Sequence, residues 1–151
     1  MGAAVSLDAQ RNSFEVEGWP LIPPGEYLLT YHRYELAFMF NTAKLFAHFQ
    51  IADGEHKGAR LYAAYRVKAI KRKTKRGGQF TLSKTHKLFI QLATLVNSPV
   101  RPDRPSLDCL RGCLIRGRVV TVKGPNPHKP RPEAAHYSRV DELLSIEAGS
   151  T

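Results

Sequence analysis

Between Glu55 and Asp103 the chain carries no carboxylate, yet Lys57, Arg60, Arg66, Lys68, Lys71, Arg72, Lys73, Lys75, Arg76, Lys84, Lys87 and Arg101 all fall there. Cations gathered on one stretch build a positive field over a surface, attract a polyanion and release its counterions when it binds. The densest part is KRKTKR, residues 71–76, followed by Gly77-Gly78. With two glycines beside it, this block reads as a mobile arm that folds over a phosphate backbone. It reads otherwise as a solvated face, a localisation tag or a docking surface for an acidic protein. Arg66, Lys68, Arg116 and Arg118 are stiffer candidates, because strands hold them. Arg116 and Arg118 reach successive phosphates if they share a face, and otherwise they solvate the open side of a sheet.

Rings lie close to these cations in the sequence. Tyr31, Tyr34, Phe46, His48 and Tyr62 fall at solvent-facing positions of strand-like runs, although the phase of the first run is poorly fixed. An exposed ring stacked on an unpaired base contributes about 1–3 kcal/mol, so a few such rings favour single strands without base-specific contacts. A small core also needs rings, and Phe46 and Tyr62 fit that role equally well. Tyr65 is a core residue by its parity.

Catalytic chemistry is harder to assemble. His32 with Glu35, or His48 with Asp53, makes an acid–base pair on paper, but no positioned nucleophile or oxyanion site accompanies either. Glu35 and Asp53 would serve a magnesium-dependent nuclease only if the fold brought them together. There is no HExxH and no GxxxxGK[ST]. Cys109 and Cys113 are the only cysteines, do not form a CxxC pair, and read as reduced structural thiols before a redox centre. No catalytic residue, metal ligand or cofactor is assigned.

The chain's 151 residues suffice for one core without disulfide or metal staples. Lys and Arg number 23 against 13 acids, a formal charge of +10, more than solubility alone requires. The start MGAAVSLDAQRNSF has no basic segment followed by a long apolar run, and nothing approaches the roughly 20 apolar residues of a membrane span. A cytoplasmic protein with no membrane partner is the expectation.

The elements that must position these groups show in the periodicity. Trp19-Pro20 and Pro23-Pro24 end an irregular lead-in, and GEYLLTYHRYEL opens the first strand, which AFMF can continue after a bend. In KLFAHFQI, Leu45, Ala47, Phe49 and Ile51 face the core while Phe46, His48 and Gln50 face outward. In RLYAAYRVKAI, Leu61, Ala63, Tyr65 and Val67 are the inner set, with Tyr62, Arg66 and Lys68 outside. After the basic block the period changes, and Ser83 caps a helix over 83–96 whose stripe is Leu88, Leu92 and Leu95. CLIRGRVVTVK is a fourth strand with no purely apolar parity, where Gly117 marks a bend or bulge. The last element, HYSRVDELLSI, is strand-like at its start and helix-like at DELL.

This order predicts a mainly β chain, an OB-type five-stranded antiparallel barrel with one helix between strands 3 and 4. PPGEY, KLFAHFQIADGEHKGARLYAAYRV, SKTHKLFIQLATLV, GCLIRGRVVTV and YSRVDELL together resemble the small OB-fold single-stranded DNA-binding proteins of phages and mobile genetic elements. The resemblance implies an irregular lead-in over 1–23, a nucleic-acid-binding domain over 24–147 and a short tail over 148–151. It also implies non-catalytic binding and protection of single-stranded DNA in replication, recombination or transfer of a mobile element. IEAGST lacks the acidic tail through which bacterial housekeeping single-strand binders recruit partners. RNA and an acidic protein remain the alternative partners, and edge strands offer a route to a dimer or higher oligomer.

Overall fold

The computed structural model describes residues 20–74, 77–96, 99–123 and 136–148. Among the described residues there are seven strands, most of them formed by branched and aromatic runs: β1 (Gly25–Met39), β2 (Thr42–Ile51), β3 (Arg60–Arg66), β4 (Ala69–Thr74), β5 (Gly77–Thr81), β6 (Leu114–Val122) and β7 (Tyr137–Ala148). Among the described residues the helical elements are α1 (Lys87–Val96) and a 3-10 turn at Asp108–Leu110. Strands β3-β2-β1-β6-β7 make one antiparallel sheet in that order, and β4 and β5 make a separate two-stranded ribbon. The fold is mostly β and multi-stranded, and it loosely resembles an OB-type domain.

The expected closed barrel does not form. A closing ladder would hold β3 and β7 about 4.8 Å apart, whereas no ladder joins these two edges among the described residues. Side chains occupy the gap instead. The Tyr62 ring of β3 stacks on Tyr137 of β7 with centroids 6.0 Å apart, and the Tyr62 hydroxyl donates to that of Tyr137 at 2.8 Å. Deeper in, Gln91 of α1 accepts at its Oε1 from the Tyr65 hydroxyl at 2.9 Å and from the Leu143 amide at 3.3 Å. An amide side chain from the helix thus joins the two edges that backbone pairing leaves apart. The helix also follows the fifth strand rather than the third, because Ala69–Thr74 and Gly77–Thr81 pair into the ribbon.

Inside the sheet the period-two reading holds for the core face. Leu45, Ala47, Phe49 and Ile51 of β2 and Leu61, Ala63 and Tyr65 of β3 are buried with Val67, under Leu88 and Leu92 of α1. Cys113, Ile115, Gly117 and Val119 are the buried parity around β6, and the register against β7 shifts between Arg116 and Gly117. DELL is strand throughout, since pairing with β6 overrides its local preference. The helix begins at Lys87 instead of Ser83. Ser83 and His86 close a turn ahead of it: the His86 amide donates to the Ser83 carbonyl at 3.0 Å, and the Ser83 amide to His86 Nδ1 at 3.1 Å. The end of the lead-in is stitched to β7, with Ile22 in the core and its amide donating to Ser138 Oγ at 2.8 Å.

Candidate nucleic-acid interface

Residues 71–74 of the basic block belong to β4, which pairs with β5 so that Ile70 faces Phe80, Arg72 faces Gln79, Lys73 faces Gly78 and Thr74 faces Gly77, with a register shift that makes Lys71 the extra residue. For residues 71–74 a paired strand thus stands where a loop was expected. Phe80 is buried in the core and meets the Tyr34 ring edge to face at 5.6 Å, and the Tyr34 hydroxyl donates to the Gly78 carbonyl at 2.5 Å. The two glycines, read from sequence as a flexible tip, are where the chain must fit tightly. Their φ values are 122° and 116°, and a Cβ would come within 2.5 Å of the Tyr34 ring at Gly77 and 2.1 Å of the Arg72 carbonyl oxygen at Gly78. Glycine lets the ribbon lie flat on Tyr34.

Lys71, Arg72 and Lys73 of β4 are all exposed, as are Arg66 at the end of β3 and Lys68 after it. Among the described residues none of these five is in an ion pair. Arg66 and Lys68 also act with burial to hold the His86 imidazole below its ordinary range, burial being the larger cause. Lys75 and Arg76 lie outside the described residues. The other two strand-borne candidates differ. Arg116 and Arg118 do share a face of β6, but Arg116 Nη2 lies 3.4 Å from Glu147 and Arg118 Nη1 3.7 Å from Glu142, both on β7. Their positive field is partly cancelled by these neighbours.

The expected stacking rings are mostly covered. Tyr31 is 8% exposed, Phe46 2% and Tyr62 4%. Phe46 and Tyr62 sit on the sheet face opposite the main core, in a second cluster with Ala37, beside Met39, Ala64 and Tyr137. Parity placed them on that face correctly, but that face is not bare. Tyr31 packs edge to face on Phe49, with the Arg111 guanidinium carbon 5.4 Å from its ring centre. Tyr34 is half-buried on the ribbon, and burial raises its phenol above the ordinary range.

Sequence reasoning missed the rings that are exposed. Phe38 and Phe40 are 55% and 90% exposed at the tip of the β1–β2 hairpin. Met39 pairs with Thr42 across a two-residue turn in which Phe40 and Asn41 have φ of 52° and 63°. The signal was Asn41 between two apolar runs, a hairpin turn residue inside what reads as a bent strand. Phe38 lines a groove of about 310 Å³ with Thr42, Arg66, Lys68 and Ile70, next to the root of the basic ribbon.

His48 is half-buried and its Nε2 lies 3.5 Å from Glu35 Oε2, while Arg33 Nη1 is 2.6 Å from Glu35 Oε1. The structure therefore brings Glu35 to His48 and Arg33, and leaves Asp53 in the exposed turn after β2. The His48 imidazole, then Arg33, hold the Glu35 carboxyl down to about 2 against a burial that pushes it up. A carboxylate depressed in the folded state stabilises above its unfolded value, near 4.5, and loses that contribution as pH falls toward about 2. Glu35→Gln should therefore cost about 1–2 kcal/mol at neutral pH, after discounting for solvent screening. The difference from wild type should vanish near pH 2. Urea midpoints at pH 6 and pH 2.5 check this; a gap that does not narrow in acid would refute the ion pair's role.

Among the described residues no group of three His, Cys, Asp or Glu is placed to hold a metal ion. Cys109 is exposed and Cys113 buried, both as free thiols, the latter donating to the Cys109 carbonyl at 3.4 Å. No helix among the described residues is long and apolar enough to cross a membrane. Compared with known proteins, the chain matches no protein-family model, no curated protein and no solved structure.

Proposed function

We propose that this protein binds single-stranded DNA without catalysis and keeps it from re-pairing. One observation carries the reading: Arg66, Lys68, Lys71, Arg72 and Lys73, close together in the chain from the end of β3 into β4, are all exposed and none is in an ion pair among the described residues. Arg33, Arg101, Arg116, Arg118 and Arg139 lie beside acids, and the other cations without an ion pair among the described residues, such as Lys57, Arg60, Lys84 and Arg104, are more thinly spread along the chain. Uncompensated charge on a paired ribbon suits a flexible phosphate chain, which can bend to follow it. The role that follows is protection of exposed strands in the cytoplasm during replication, recombination or transfer of a mobile element.

The test is a titration of the protein with single-stranded DNA, duplex DNA, RNA and polyglutamate at two salt concentrations. Single-stranded DNA should bind most tightly, with an affinity that falls steeply as salt rises. Tighter binding of RNA would transfer the reading to RNA, and polyglutamate binding as tightly as the nucleic acids would overturn it in favour of an acidic protein partner.

A further inference from the structure

The β1–β2 tip stands apart from every other apolar surface of the described chain. Phe38 and Phe40 are the two aromatic residues among the large exposed hydrophobics, and they are separated by one residue. Phe40 occupies a left-handed backbone position, φ 52°, in a turn whose geometry favours glycine, asparagine or aspartate. A bulky side chain is disfavoured there on steric grounds, and at 90% exposure Phe40 gains little packing in return. A ring that harms the turn and leaves the core untouched points to a contact outside the molecule.

The surroundings say what the contact is. The groove beneath Phe38 is bordered by Arg66 and Lys68, and Lys44 pairs with Arg66 across β2 and β3. No acidic residue lines that groove. Two copies of this tip would bring like charges together, whereas an unpaired nucleotide supplies both a flat apolar face and an anion. We infer that the β1–β2 tip is a base-stacking clamp, in which Phe38 and Phe40 hold unpaired bases while Arg66 and Lys68 take the adjoining phosphates. This rests on the single-strand reading above and adds to it the source of discrimination against duplex.

Phe40→Asn separates a binding role from a structural one, because asparagine suits the turn. The variant should melt about 2–4 °C higher than wild type yet bind an oligothymidylate roughly tenfold more weakly at fixed salt, with duplex affinity within about twofold. Phe38→Thr, which keeps the strand preference, should weaken single-strand binding in the same sense. Phe40→Trp should retain affinity, and its added indole fluorescence should be quenched by oligothymidylate but not by duplex. Unchanged single-strand affinity in both Phe38→Thr and Phe40→Asn would overturn the clamp while leaving the charged ribbon as the binding element. Equal losses on single strand and duplex would overturn stacking as the mechanism. A concentration-dependent mass for the free protein that Phe40→Asn abolishes would assign the tip to self-association instead. Wild type that binds no nucleic acid would defeat both the clamp and the reading on which it rests.

Discussion

Replacing Lys71, Arg72 and Lys73 together by glutamine should lower affinity for single-stranded DNA about 100-fold at 0.1 M salt and flatten the salt dependence by about two units of slope. Both numbers come from one relation. Each phosphate neutralised on a single strand contributes roughly 0.7 to the slope of log affinity against log salt, so three contacts contribute about 2, and at 0.1 M that slope corresponds to about two decades. Stability should hardly change, since all three side chains are exposed on a ribbon whose attachment runs through Phe80 and Tyr34. Binding isotherms at four or five salt concentrations give slope and intercept together. A folded variant with the wild-type slope would remove β4 from the interface, whatever its affinity.

Gln91→Leu should be among the most destabilising single substitutions in the described chain, although leucine is the more hydrophobic residue. Gln91 is buried, and its Oε1 is the acceptor for both the Tyr65 hydroxyl and the Leu143 amide. Leucine would leave two donors without that acceptor in the interior, at about 1–3 kcal/mol each, for a total of about 2–6 kcal/mol. Against a domain stability of roughly 5–15 kcal/mol this is a large fraction, and it corresponds to a melting temperature lower by roughly 5–15 °C. Adding Tyr65→Phe removes one stranded donor, so the double variant should be more stable than the sum of the singles implies. A Gln91→Leu protein as stable as wild type would mean that β3 and β7 are held by apolar packing alone.

How far the sequence could be read depended on what each residue's neighbours were. Leu45, Ala47, Phe49 and Ile51 alternate strictly, and their burial followed. The same alternation put Phe46 and Tyr62 on the other face and assumed water there. Periodicity fixes which side a residue points to, not what covers that side, and Tyr137 comes to that cluster from a distant part of the chain. The ribbon was invisible for a different reason. Ile70 is the sole apolar side chain between Ala69 and Thr74, and its partner strand opens with two glycines, so hydrophobic alternation had almost nothing to report. The cations of the proposed interface were legible because lysine and arginine stay exposed in nearly any fold. Its rings were not, because exposure of Phe38 and Phe40 is decided by a turn whose one sequence signal, Asn41, lies inside what reads as a continuous bent strand.

The pairing of β1 with β6 has a consequence for how the chain is made. β1 finds β2 immediately after it, but its other edge stays bare until the chain reaches Leu114, which pairs with Thr30, and Val119, which pairs with Gly25. At ordinary rates of synthesis that interval is on the order of 10 s. Through it a nascent meander of β1, β2 and β3 would present an unpaired strand with Tyr27, Leu29 and Tyr31 along it, a template for strands of other chains. Charge is the available protection, because Lys57, Arg60, Arg66 and the ribbon emerge before β6 and make neighbouring nascent chains repel. The cations assigned to a polyanion in the finished protein would thus first act against misassembly on the ribosome, and a charge-neutralised variant should refold with lower yield at high concentration even where its final stability is unchanged.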